Sequence, residues 1–138
     1  MRVYQSDSRL VVEIQKWGCY LLSLHYYVSM FTEQNFEFYD INDNYHKFIN
    51  LGYIKDNCYI LNPCKILNYF RIKRCVRYEN QHYRCSSGEF EISEVRIKNT
   101  PGSHFMATNN TSVLYDSLKL KERGREYHLK SKRVFTQL

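Results

Sequence analysis

The chain has few of the residues that interrupt regular structure. Its 138 residues include five Gly and two Pro, without a low-complexity segment or internal repeat. This scarcity excludes a linker-rich chain and predicts a well-ordered domain. There is no run of about 18 apolar residues, and residues 1–8 lack the apolar stretch of a signal peptide. We therefore expect one soluble, unprocessed domain over residues 1–138, with a single core.

The number of cysteines and the distribution of charge bear on the compartment and the partners of the protein. An odd number of cysteines, five, in a chain without a secretory signal favours free thiols in a reducing compartment, and hence a cytoplasmic protein. The net charge of +6 comes from the second half, because residues 71–138 carry fourteen Lys and Arg against seven Asp and Glu. A basic half is typical either of a protein with an anionic partner or of a solvated face.

Hydrophobic periodicity changes from helical to alternating after Phe70. Helical spacing covers residues 7–17, 19–31, a stretch capped by Asp43 and ending at Gly52, and a stretch starting at Asn62 and Pro63. Alternation over 71–78, 89–97, 104–107, 113–115 and 127–135 predicts strands. The sequence thus predicts an α+β fold with an N-terminal helical half and a C-terminal antiparallel sheet, meeting along a crevice.

Cys19 is the first candidate for chemistry. It follows Gly18 and opens an apolar run, so it lies where the central buried helix is predicted to begin. The positive end of a helix and its unpaired N–H groups favour a thiolate, which makes the residue a candidate nucleophile. The alternative is that Cys19 is a small buried hydrophobic residue, as free cysteines commonly are.

His104 and Asp116 supply a candidate base and its orienting carboxylate. A three-residue turn at Asn109-Asn110-Thr111 would pair Thr108 with Ser112 and His104 with Asp116, on one face of a hairpin. A two-residue turn would place His104 and Asp116 diagonally, still within reach of each other. The carboxylate would then fix the imidazole tautomer. Taken singly, His104 could be a strand histidine bonded to a backbone carbonyl, and Asp116 a turn former.

Gln15 completes the candidate site. Lying four residues before Cys19, its side-chain amide would join the N–H of Cys19 in stabilising an oxyanion. The predicted reaction is acyl transfer, with Cys19 attacking a carbonyl and His104 protonating the leaving amine.

These residues carry a resemblance to papain-like cysteine peptidases, specifically the compact kind similar to bacteriocin-leader-processing peptidases and their phage-associated relatives. The matching positions are Gln15, Gly18-Cys19, Ser23, Gly102-Ser103-His104-Phe105 and Asp116. The resemblance implies a papain-like fold and a Cys-His-Asp site. The sequence departs from the pattern at Cys19-Tyr20-Leu21, where Cys-Gly-Pro is usual, and at Asp116-Ser117, where Asp-Pro is usual. The chain also resembles an uncharacterised family encoded on bacterial plasmids and prophages.

Other ionisable residues fit structural roles better. His25 lies six positions after Cys19, which on a helix turns it away from the thiol, and we expect it to be a core histidine. The spacing of Cys58, Cys64, Cys75 and Cys85 is not that of a zinc site. Asp40, Asp43 and His46 are better explained by capping and solvation. We therefore expect neither a metal nor a cofactor.

Two functions are consistent with these sequence features. The first is a cysteine peptidase or amidase, a hydrolase acting on a peptide or peptidoglycan-type substrate, with an anionic polymer as a partner for the basic half. The alternative is a non-catalytic protein, either a pseudo-enzyme with a structural interaction role or a basic module that binds nucleic acid or a protein partner. The candidate residues of the basic module are Arg71, Lys73, Arg74, Arg77 and Arg84, with Tyr78 and Tyr83 interleaved.

Overall fold

Four helices precede five strands in the computed structural model, which describes residues 1–138. The helices are α1 (Val12–Trp17), α2 (Cys19–Thr32), α3 (Phe38–Asn50) and α4 (Pro63–Tyr69). The strands are β1 (Arg74–Asn80), β2 (Phe90–Ile97), β3 (His104–Asn109), β4 (Ser112–Tyr115) and β5 (Tyr127–Gln137). They form one antiparallel sheet in the order β1-β5-β2-β3-β4. The predicted α+β class, with helices first and the sheet second, is confirmed.

The helix starts show which local signals decide the boundaries. α4 begins at Pro63, as predicted, and the Asn62 side chain accepts the N–H of Lys65 at 3.0 Å. α3 begins at Phe38, so the predicted cap at Asp43 is wrong. Glu37 and Asp40 form a reciprocal capping box there, which satisfies two backbone donors and starts the helix earlier than one side chain at Asp43 would.

The central helix α2 runs along β3 and packs on the sheet. The Tyr27 hydroxyl lies 2.6 Å from the carbonyl oxygen of Glu91 and 3.0 Å from that of Thr108, near the end of β3. Closer to the start of the helix, the rings of Tyr20 and Phe105 have centroids 4.7 Å apart. The first residue of α2 therefore lies beside the first residue of β3, which brings Cys19 to His104.

Apolar side chains of both halves form one core. Leu21, Leu22 and Val28 of α2 are fully buried, and Phe90 stacks on Phe135 across β2 and β5. Burial of these groups supplies the main driving force that holds the helices on the sheet. None of the helices has the length and apolar character needed to cross a membrane.

Candidate active site

The hairpin that carries His104 has a shorter turn than the sequence suggested. Asn109 pairs with Ser112 and Thr108 with Val113, so the predicted pairing of Thr108 with Ser112 is wrong. Two residues make the turn, and the first, Asn110, has a φ of 57°, a left-handed conformation that Asn tolerates. A register shift follows between Ala107 and Thr108, after which Ala107 lies opposite Tyr115.

This bulge decides on which side Asp116 lies. Successive strand side chains alternate between faces, so a two-residue turn alone would have placed Asp116 on the face opposite to His104. The extra residue in β4 restores the parity, and Asp116, directly after the strand, comes to the side of His104. The two residues are diagonal neighbours rather than directly opposed ones. The Nε2 of His104 lies 2.7 Å from the Oδ1 of Asp116.

The Asp116 carboxylate is held by several donors. Its oxygens accept the backbone N–H groups of Leu118 at 3.0 Å and Leu120 at 2.9 Å, besides the imidazole. Burial raises the pKa of Asp116, but the hydrogen bond to His104 and these two backbone bonds outweigh it and leave the pKa below its ordinary value. The carboxylate is therefore ionised when it meets the imidazole.

His104 is almost enclosed, with 4% of its side chain exposed. Burial alone would lower its pKa, but hydrogen bonds with Asp116 and Cys19 and the charges of both raise the pKa to about 9. The Cys19 thiol lies close enough to the ring to contribute to this shift of the His104 pKa, while Asp116 is bonded to Nε2. The imidazole is thus held as an imidazolium between a carboxylate and a sulfur.

Cys19 is partly exposed and occupies the first position of α2. One turn further along, the Ser23 hydroxyl donates to the carbonyl of Cys19 at 2.8 Å and lies 3.5 Å from that of Phe105. Ser23 therefore links the first turn of α2 to β3. This link fixes the helix start against the strand that carries His104.

Gly18 separates α1 from α2 for reasons of space. Its φ of −85° is open to any residue, but a Cβ at this position would lie 2.6 Å from the carbonyl oxygen of Ile14. That distance is well inside van der Waals contact. The close approach lets the chain interrupt one helix and restart at Cys19 within a single residue.

The Gln15 amide is bonded to backbone carbonyls that precede α1, and none of its contacts is with Cys19. Its amide nitrogen donates to the carbonyl of Leu10 at 2.7 Å and lies 3.4 Å from that of Ser8. Helical side chains lean toward the helix N-terminus, and Gln15 therefore extends away from Cys19, which follows it in the chain. The structure brings Cys19, His104 and Asp116 together, while the Gln15 amide is bonded to the carbonyls of Leu10 and Ser8.

Gln5 is a site neighbour that sequence reasoning missed. Its side chain is 4% exposed and donates to the carbonyl of Gln15 at 3.1 Å, while its amide oxygen accepts the Ser117 hydroxyl at 2.7 Å. Nothing in the pattern of residues 1–8 distinguishes Gln5, because its partners lie 10 and 112 positions away in the chain.

The remaining thiols lie in different surroundings. Burial raises the pKa of Cys58 and of Cys85 to about 12, and that of Cys64 above its ordinary value, whereas Cys75 is exposed. His25 is a buried core histidine, as predicted, with Nδ1 2.9 Å from the carbonyl of Leu21, and burial lowers its pKa to about 4. No group of three or more His, Cys, Asp or Glu residues is arranged to hold a metal ion.

The basic residues after Phe70 do not form one free stripe. Arg77 is paired with Glu79 at 2.8 Å and with Glu89 at 2.7 Å. The Arg74 guanidinium lies 5.4 Å from the ring centroid of Phe31 and is therefore also engaged within the protein. Two of the five predicted phosphate-binding cations thus already have internal partners.

Nearly the whole chain, including the three residues that meet at this site, aligns with one family model. That model is described as "Protein of unknown function, DUF261" and matches residues 1–137. The chain belongs to the DUF261 family. No curated protein and no solved structure matches the chain. Cys19, His104 and Asp116 all lie within the matched range.

Proposed function

We propose that this protein is a cysteine peptidase or amidase of papain-like architecture, with Cys19 as nucleophile, His104 as acid and base, and Asp116 as the residue that orients the imidazole. The observation that carries the proposal is the position of His104, whose Nε2 lies 2.7 Å from the Oδ1 of Asp116 and whose pKa is also raised by the neighbouring Cys19 thiol. Each of the three residues has one role in acyl transfer. Packing of the apolar core does not require these polar side chains to meet.

The proposed reaction begins when the Cys19 sulfur forms a bond to the carbonyl carbon of a peptide. The carbonyl electron pair moves to the oxygen, and the N–H of Cys19 at the helix start is the donor that we assign to that oxygen. Breakage of the carbon–nitrogen bond yields a thioester, while His104 gives its proton to the leaving amine. His104 then takes a proton from water, whose oxygen attacks the thioester; the carbon–sulfur bond breaks, and the acid leaves while the Cys19 thiolate and the imidazolium are restored.

The geometry of the site indicates which type of bond in the substrate reacts. A peptide or peptidoglycan-type amide fits a site that contains a thiol, an imidazolium and a free N–H. The surplus of positive charge in residues 71–138 favours an acidic or anionic substrate polymer. The paired state of Arg77 argues against the alternative of a nucleic-acid module built on that stripe.

The experiment uses p-nitrophenyl acetate as a simple acyl donor. Mass spectrometry identifies the cysteine that carries the acetyl thioester, and release of p-nitrophenol over many equivalents measures hydrolysis of that thioester. We expect acetylation of Cys19 and repeated turnover in the wild type. We expect no turnover in Cys19→Ala, and accumulation of the thioester in His104→Ala, because the base that activates water is absent.

The matched control is Cys75→Ser, since Cys75 is an exposed thiol far from His104 in the sheet order. This variant should turn over the ester like the wild type. Acetylation of Cys19 no faster than that of Cys75 would contradict the proposal. Turnover that persists in Cys19→Ala would also contradict it.

A further inference from the structure

The first residues of the chain cross from the helical half to the sheet half beside Asp116. The Tyr115 hydroxyl donates to the carbonyl of Val3 at 2.6 Å, and the Tyr4 ring stacks on that of Tyr115 with centroids 5.6 Å apart. The backbone N–H of Gln5 donates to the carbonyl of Ser117 at 3.0 Å. The segment therefore lies against the residues on either side of Asp116.

The side chain of Gln5 bridges the two halves at this point. Its amide nitrogen bonds to the carbonyl of Gln15 in α1, and its amide oxygen bonds to the hydroxyl of Ser117 next to Asp116. Both Gln5 and Ser117 are buried, at 4% and 1% exposure. A buried amide with both ends satisfied holds its partners at fixed positions, because breaking either bond leaves an unpaired polar group.

We propose that Gln5 is a positioning residue that sets the geometry of the Cys19 N–H and of Asp116 at the same time. The proposal rests on the acyl-transfer function proposed above. Gln5 touches neither the sulfur nor the imidazole, so it acts through Gln15 and Ser117.

The first effect concerns the donor for the oxyanion. In a continuous helix the carbonyl of Gln15 would accept the N–H of Cys19 four residues later. Here α1 stops at Trp17, and the Gln15 carbonyl accepts the Gln5 amide instead. The Cys19 N–H is thereby left available for a substrate oxygen. Gln5 thus donates a hydrogen bond to a carbonyl that lacks its usual helical donor because the helix is interrupted.

The second effect concerns the carboxylate. Ser117 directly follows Asp116, and Gln5 holds it through a backbone bond and a side-chain bond. A displacement of this residue moves the carboxylate relative to the Nε2 of His104, which is 2.7 Å away. Displacements of about 1 Å at such a contact are enough to lower a rate by about 100-fold.

Two variants separate these effects. Gln5→Met is similar in size and apolar, and it removes both side-chain bonds, whereas Ser117→Ala removes only the bond on the Asp116 side. The control is Gln81→Met, at an exposed position. Two probes are used: a short peptide aldehyde, which needs an oxyanion donor because its carbonyl adds the thiol to give a hemithioacetal, and iodoacetamide, which alkylates sulfur by displacement without forming an oxyanion.

We expect Gln5→Met to weaken binding of the aldehyde by about 10-fold or more relative to its effect on iodoacetamide alkylation of Cys19. We expect Ser117→Ala to lower the pH at which the His104 ring titrates by NMR and to leave aldehyde affinity within about 2-fold. Gln81→Met should change neither readout. Thermal unfolding identifies a variant that fails to fold, and in that case the Ser117→Ala titration decides the inference.

The failure of this inference differs from the failure of the proposed function. If wild-type Cys19 binds the aldehyde and both variants behave like the control, the role of Gln5 is refuted and the function stands. If the wild type shows no aldehyde protection of Cys19 against iodoacetamide, both the function and the inference are refuted. If aldehyde affinity and the rate of iodoacetamide alkylation fall equally, together with the unfolding temperature, a positioning role is also refuted, because such a result indicates loss of structure only.

Discussion

Replacement of Asp116 by Asn tests how the imidazole is held. The variant keeps the size of the side chain but removes its charge, and its single oxygen cannot serve His104, Leu118 and Leu120 as the two carboxylate oxygens do. A hydrogen bond to a charged partner contributes about 1.5–3 kcal/mol, and each pKa unit corresponds to about 1.4 kcal/mol. The pKa of His104, raised to about 9 in the wild type, should therefore fall to about 7 or 8.

The assay is an NMR titration of the histidine rings in the wild type and in Asp116→Asn. The exposed residues His46 and His82 supply reference ring signals, because both lie on the surface away from Asp116. The unfolding free energy should also fall, by about 1–3 kcal/mol, since one buried N–H loses its acceptor. The reasoning is refuted if His104 titrates at the same pH in both proteins, or below pH 6.5 in the wild type.

Three further results are expected. Iodoacetamide at neutral pH should modify Cys19 faster than the exposed Cys75, as followed by peptide mass spectrometry; equal rates would count against an activated thiol. Gly18→Ala should displace the start of α2, because the new methyl group would meet the Ile14 carbonyl at 2.6 Å; an unchanged melting temperature and Cys19 alkylation rate would disprove this. The pKa of His104 in the folded protein is about 9, above its ordinary value of 6.5. Protonated His104 therefore contributes fully to the free energy of unfolding below pH 6.5, and this contribution disappears as the pH rises through 9. Urea unfolding should show a loss on the order of 3 kcal/mol over that window in the wild type, and a similar loss in His104→Asn would contradict the assignment.

Local signals in the sequence were sufficient for most of the fold. The change of period after Phe70 and the Asn62-Pro63 start signal depend on neighbouring residues only, and both agree with the structure. The start of α3 was missed because the capping box of Glu37 and Asp40 competes with Asp43, and which cap forms depends on how the helix packs.

The candidate site also has features that local sequence predicts and features that it does not. The sequence predicts the contact between His104 and Asp116, and a two-residue turn with a diagonal contact is one of its alternatives, but the bulge that brings both to one side is not predicted, because a bulge is set by the sheet and not by turn residues alone. The Gln15 amide bonds to the carbonyl of Leu10, before α1, and the Gln5 amide bonds to the carbonyl of Gln15, ten residues along the chain. These features arise from tertiary contacts, which periodicity and spacing do not contain.

The pairing of Cys19 with His104 is tested by the rate at which iodoacetamide alkylates Cys19 at pH 7 in the wild type and in His104→Ala, both in a Cys75→Ser background that removes the exposed competitor. Because an imidazolium beside the sulfur stabilises a thiolate, the wild type should react about 10-fold or more faster than the variant. Equal rates in two folded proteins would show that His104 does not activate Cys19, and would contradict the proposed cysteine peptidase or amidase site.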